Sequence, residues 1–97
     1  MNALQELKEA IQYYKLGEIY EASIRFDCII GEYRLGERHT QEDLDSFMSF
    51  LDREYDEGYG LQELFGFVAF RDGSILKRGE YDGSEWWEIH VPYAFEL

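Results

Sequence analysis

The chain has 97 residues, of which 45% are apolar, 18% aromatic and 31% charged, the make-up of one small globular domain rather than of a disordered polymer. Acidic side chains outnumber basic ones 21 to 9, giving a net charge of −12, which opposes long-range attraction to nucleic acid or an anionic membrane and favours a basic partner. No apolar run approaches the roughly 20 residues needed to span a bilayer, Met1–Glu6 lacks the basic and apolar regions of a signal peptide, and the single Cys28 excludes an internal disulfide and fits a reducing cytosol.

The first predicted element is a helix. Asn2 can cap it, Leu4, Leu7, Ile11 and Tyr14 recur at spacings of three and four, and Gly17 stands where a left-handed C-terminal residue belongs. From Tyr20 the period becomes two. Tyr20, Ala22, Ile24, Phe26, Cys28 and Ile30 alternate with Glu21, Ser23, Arg25 and Asp27, which is a strand with one buried face. Cys28 on that face reads as a core thiol rather than a nucleophile. Gly31 and Gly36 bracket Glu32–Leu35, a bend or a second short strand.

Thr40 opens a second helix as N-cap, and Asp43 supplies a short version of the capping-box acid. Leu44, Phe47, Met48, Leu51 and Tyr55 form its apolar stripe, and Gly58 and Gly60 end it. A β-meander follows: Leu64–Phe70, a turn at Arg71–Ser74, Ile75–Tyr81, a second turn at Asp82–Gly83, and Ser84–Val91 up to Pro92. Both Asp-Gly pairs suit the positive φ of type I′ turns. The expected fold is a single α+β domain over residues 1–97, in the order α-β-α-β-β-β. Two helices pack on one face of an antiparallel sheet of about four strands, and the protein is a monomer or an edge-paired homodimer.

The charge is uneven. Residues 37–63 carry nine acidic side chains against two basic, and residues 79–97 carry five acidic and none basic. On the second helix Glu42, Asp45, Asp52 and Asp56 share one face. Like charges at these spacings each cost about 0.2–0.5 kcal/mol, and the bland explanation is a solvated helix face. In the final hairpin Glu80, Asp82, Glu85 and Glu88 accompany Tyr81, Trp86 and Trp87. Successive strand residues face opposite sides, so Trp86 and Trp87 cannot both enter one core. An exposed indole among carboxylates can stack a guanidinium while the acids accept its hydrogen bonds.

Other chemistries lack their residues. His39, His90 and Cys28 are too few and too scattered for a metal centre, although Glu88 and His90 share a strand face. No serine sits in a nucleophile elbow, and Gly58-Tyr59-Gly60 has no following Lys-Ser/Thr to make a P-loop. Arg71, Lys77 and Arg78 form a small basic island expected to pair with nearby acids.

Gly58-Tyr59-Gly60, Leu64-Phe65-Gly66, Arg71-Asp72-Gly73-Ser74 and the run Arg78–Glu88 together resemble segments of small proteins of bacteriophages and mobile elements. Size, single-domain build and acidity resemble those of phage anti-defence proteins, including anti-CRISPR and anti-restriction inhibitors. That resemblance implies an inhibitor acting in the host cytoplasm, with carboxylates standing in for phosphates on a basic, nucleic-acid-binding effector. Glu42, Asp45, Asp52 and Asp56 with Glu80, Asp82, Glu85 and Glu88 would take the phosphate positions, and Tyr81 with Trp86 or Trp87 would anchor the contact. No enzymatic activity, cofactor, metal, direct nucleic-acid contact or membrane contact is expected. An immunity protein or antitoxin neutralising a basic toxin would use the same surface. A small enzyme would need a deep pocket around Glu88, His90 and a Trp.

Overall fold

The computed structural model describes residues 1–27, 32–55 and 62–91. Among these residues seven elements follow one another: α1 (Ala3–Tyr13), β1 (Ile19–Phe26), β2 (Glu32–Leu35), α2 (Gln41–Leu51), β3 (Leu64–Phe70), β4 (Ile75–Tyr81) and β5 (Ser84–His90). The class is α+β as expected, but the order is α-β-β-α-β-β-β and the sheet has five strands, arranged β2-β1-β3-β4-β5 and antiparallel throughout. The additional strand is Glu32–Leu35, which pairs with Ala22–Arg25. Only Tyr33 and Leu35 carry its inward period, too short a pattern to separate a strand from a bend.

Both helices start where their caps predict. Asn2 Oδ1 accepts the Gln5 N–H at 2.9 Å. Thr40 Oγ1 accepts the Asp43 N–H at 3.1 Å while Asp43 Oδ2 accepts the Thr40 N–H at 2.9 Å, a complete capping box. Both stop earlier than the glycines suggested. At the end of α1 the Leu16 N–H reaches Ile11 C=O at 2.9 Å and the Lys15 N–H reaches Gln12 C=O at 3.2 Å, with Lys15 at φ 56°. This is a Schellman closure fixed by Leu16, which packs against the core, so Gly17 is not the left-handed residue. Helix α2 ends at Leu51 with Asp52 as C-cap; Gly58 and Gly60, like Cys28, Ile30 and Pro92, lie outside the described residues. Tyr55 is therefore beyond the helix, yet buried. The chain there runs beside the N-terminus, with the Ala3 N–H on Arg53 C=O and the Tyr55 N–H on Met1 C=O, each at 3.0 Å.

One face of the sheet carries the core. Ala22, Ile24 and Phe26 of β1, Leu35, Leu64, Val68, Phe70, Leu76 and Trp87 meet Ala3 and Leu7 of α1 and Phe47 and Leu51 of α2. Phe47 touches the Tyr33 ring at 5.8 Å and Phe50 touches Phe26 at 5.6 Å, which seats α2 over β1 and β2. The opposite face, with Ser23, Arg25, Phe65, Phe67, Lys77, Trp86 and Glu88, has no described helix on it.

Gly66 marks where the sheet parts. A Cβ there would lie 1.9 Å from the Ser23 carbonyl oxygen, and its φ is +130°, so glycine is required for β1 and β3 to approach. The β3–β4 ladder is confined to Phe67–Ala69 with Ile75–Lys77, whereas β4 and β5 stay paired as far as Tyr81 and Ser84. Asp82 (φ 52°) and Gly83 (φ 87°) close that hairpin as the expected type I′ turn. The first Asp-Gly turn differs. Only Gly73 has positive φ, and Gly73 N–H on Phe70 C=O with Phe70 N–H on Ser74 C=O makes a longer loop with a glycine bulge. Asp72 stays out of the left-handed region, its Oδ1 accepting the Ser74 N–H at 2.8 Å.

Candidate partner-binding surfaces

The outer side of α2 presents Glu42, Asp45 and Asp52 to solvent. Asp45 accepts a hydrogen bond from Gln41 Nε2 at 3.0 Å and Asp52 from Asn2 Nδ2 at 2.9 Å. None of the three has an ion pair among the described residues. The nearest helix-end cation, Arg53, lies over the rings of Phe26 and Phe50 at 5.3 and 4.9 Å and donates to Phe50 C=O. Asp56, expected to extend the row, lies outside the described residues.

The final hairpin divides its residues between two faces. Trp87 points to the core at 6% exposure and Trp86 to the open face at 37%, as alternation requires. Trp86 lies across Gly79 of β4. A Cβ at that glycine would meet the indole Nε1 and Glu88 Oε1, each at 2.6 Å. The indole N–H donates to Glu88 Oε1 at 3.1 Å. Glu88 Oε2 is 3.8 Å from His90 Nε2. Glu80, Tyr81 and Asp82 are exposed at the tip, Glu80 Oε2 accepting the Gly83 N–H.

Glu85 is a correction. It was expected to face a partner, but its side chain is fully buried and belongs to an internal ionic cluster. Arg78, 2% exposed at its side chain, donates from Nη2 to Glu85 Oε1 at 2.7 Å and to the Tyr55 hydroxyl at 3.0 Å, and from Nη1 to Glu6 Oε2 at 3.1 Å. The Tyr55 hydroxyl donates to Glu6, and Glu85 accepts the N–H groups of Glu63 and Leu64 at 2.9 and 3.1 Å. The guanidinium also stacks on the Trp87 ring at 4.8 Å. Burial alone would pull the Arg78 pKa down, but Glu6 and Glu85 outweigh it and hold the guanidinium charged. Burial, then the bond to Glu6, pushes the Tyr55 hydroxyl well above its usual value against the opposing charge of Arg78. Two buried donors, Arg78 Nε and Trp87 Nε1, have no acceptor among the described residues.

The two acidic stretches do not merge. Helix α2 sits on the helical layer over the β1–β2 side, whereas Trp86 and Glu88 occupy the open face of β5 at the other end of the strand order. Trp87 and Glu85 are withdrawn from any partner. Other arginines are occupied internally too: Arg25 with Asp27, Arg34 with Glu32 and Arg71 with Glu18. Glu88 and His90 are each about half exposed at the side chain. A cleft of about 340 Å³ lies elsewhere, between Ile11, Ile19, Leu44 and Met48 with His39 and Arg71 at its rim. Among the described residues no group of three His, Cys, Asp or Glu side chains is placed to hold a metal ion, and no helix is long and apolar enough to cross a membrane. The sequence had no signal for the Arg78 cluster beyond the alternation Leu76, Arg78, which puts the arginine on the core side of β4. No family model matches the chain, and neither a curated protein nor a solved structure matches it.

Proposed function

We propose that the protein is a small inhibitor of the phage anti-defence type, which binds a basic, nucleic-acid-binding effector and covers its nucleic-acid site. The observation that carries this reading is the state of the carboxylates on α2. Glu42, Asp45 and Asp52 are exposed without an ion pair among the described residues, while Arg25, Arg34 and Arg71 pair with exposed acids of the same chain and Arg78 with the buried Glu6 and Glu85. These carboxylates thus stand on one helix face without being neutralised, apart from the exposed Glu80 and Asp82 at the hairpin tip. A row of unpaired carboxylates on a rigid helix can take the lysine and arginine side chains that would otherwise grip phosphates, and its field speeds encounter in a salt-dependent way. The contact would be reached from α2 alone, not from one plateau shared with the final hairpin.

Capture of CRISPR effectors and restriction nucleases on the immobilised protein tests this. Binding is expected at low salt, to fall steeply as salt rises, to compete with the effector's nucleic acid, and to weaken in the variant E42Q/D45N/D52N. Empty capture at low salt overturns the reading, and capture of a basic toxin instead would make the protein a neutralising immunity protein.

A further inference from the structure

We propose that the outer edge of β5 is a strand-docking site for a basic segment of a partner, in which arginine or lysine alternates with an apolar residue. This does not rest on the α2 face, which lies on the other layer. The hairpin geometry supplies the first argument. A two-residue type I′ loop closes on a hydrogen-bonded pair, so Tyr81/Ser84, Gly79/Trp86, Lys77/Glu88 and Ile75/His90 exchange bonds within the hairpin. The N–H and C=O groups of Glu85, Trp87 and Ile89 therefore turn away from β4. β5 is the last strand of the sheet, and among the described residues no backbone group bonds to these three. A seven-residue edge of this kind is a template for one more strand.

The side chains specify what kind of strand fits. In an antiparallel addition, the residue opposite Trp87 exchanges both backbone bonds with it and lies on the core side, next to a buried indole, where an apolar side chain suits. Its two neighbours fall opposite Trp86 and Glu88 on the open face. There the indole is already seated on Gly79 and tied to Glu88, so a rigid ring and a fixed carboxylate stand side by side. That pair suits a guanidinium, stacked on one and hydrogen-bonded to the other. The molecule already stacks a guanidinium on a ring of the same face, Arg25 over Phe65 at 4.1 Å. Lys77, the register partner of Glu88, forms no ion pair with it, and Glu88 Oε2, with only His90 Nε2 beside it at 3.8 Å, can accept from an incoming cation. The exposed Glu80 and Asp82 at the hairpin tip add attraction for a basic strand. A second copy of this chain would bring the same acidic hairpin against itself, so the occupant is a basic strand rather than a twin.

The test uses the full chain and three acetylated peptides of equal charge: Val-Arg-Val-Arg-Val, whose valines stand opposite Glu85, Trp87 and Ile89, the reordered Val-Val-Arg-Arg-Val, and the first sequence with all three valine nitrogens methylated. Amide hydrogen exchange by NMR is followed at Glu85, Trp87 and Ile89. The alternating peptide is expected to protect these three amides, and the other two peptides to leave them unprotected. Trp86→Ala is expected to weaken binding about fivefold, and Glu88→Gln to weaken it as well. The variant E42Q/D45N/D52N should retain the protection pattern at saturation, which separates this site from the one on α2. Equal protection by all three peptides, or no protection of Glu85, Trp87 and Ile89 by the alternating peptide at about 1 mM, a concentration that detects weak association, overturns the proposal.

Discussion

Replacing Arg78 with methionine removes the cation on which α1, the segment after α2 and the final hairpin converge. Methionine keeps most of the side-chain length and apolar contact, so the loss is electrostatic. Glu85 would stay fully buried with only its two backbone N–H bonds, and Glu6, 13% exposed at its side chain, would keep only the Tyr55 hydroxyl. Breaking a buried ion pair from one side costs about 3–5 kcal/mol. The remaining bonds to both acids place Arg78→Met at the lower end, about 3 kcal/mol. A domain of this length has about 5–15 kcal/mol in all, so the variant should fold but with a large fraction of its margin gone. With a urea slope of about 1–3 kcal/mol/M, the midpoint should drop by about 1–3 M. Urea titration followed by tryptophan fluorescence and far-ultraviolet circular dichroism measures this, and Arg78→Lys, which keeps charge but loses the planar fork, should fall between the two. A midpoint within about 0.3 M of the parent, at most about 0.9 kcal/mol at these slopes, would refute the reasoning. The cluster would then be incidental to stability and the apolar core alone would hold the layers together.

Gly66→Ala should be severe, losing at least about 2 kcal/mol in the same titration, because the Ser23 carbonyl and a positive φ both oppose a side chain there. Gly79→Ala meets only the ends of the Trp86 and Glu88 side chains. It should change stability by less than about 1 kcal/mol while shifting the emission of the displaced Trp86 indole. Thr40→Ala removes the capping-box acceptor and should lower stability by about 1 kcal/mol, read from the thermal midpoint. Stability should decline above about pH 10, where the unfolded Tyr55 hydroxyl ionises but the folded one does not. The raised folded value makes this a contribution present below that pH and lost above it. Tyr55→Phe should flatten part of the alkaline slope between about pH 9 and about pH 11 in urea titrations.

The β-meander could be read almost residue for residue, since Asp-Gly pairs punctuate two runs of β-prone residues and the alternation is long enough to fix them. Helix starts were equally readable from Asn2 and Thr40, because a cap is a local hydrogen bond. Helix ends were not. The Schellman closure at Lys15 depends on Leu16 finding the core, a tertiary fact that overrode the nearby Gly17. Of the surface, the row on α2 and the division of the two indoles followed from period alone. Glu85 misled because a carboxylate pointing inward looks, in sequence, like one pointing outward. What distinguishes it is the guanidinium opposite, whose other partner, Glu6, lies 72 positions away in the chain. Convergence of the two acidic stretches failed for a topological reason: β2 takes one edge of the sheet and β5 the other, and the helices cover only one side.

The Arg78 cluster also sets an order on folding. Its contacts reach from Arg78 to Glu6, to Tyr55 and to Glu85 across 72, 23 and 7 positions, so opening, middle and closing portions of the polypeptide meet at a single guanidinium. During synthesis Glu6 cannot meet this guanidinium until Arg78 has left the ribosome. Pairings of such long span are slow to form because the intervening loop must close first. Docking of the first helix through this cluster thereby waits for Arg78, and a nascent chain truncated before it would lack the tie between its first helix and its sheet.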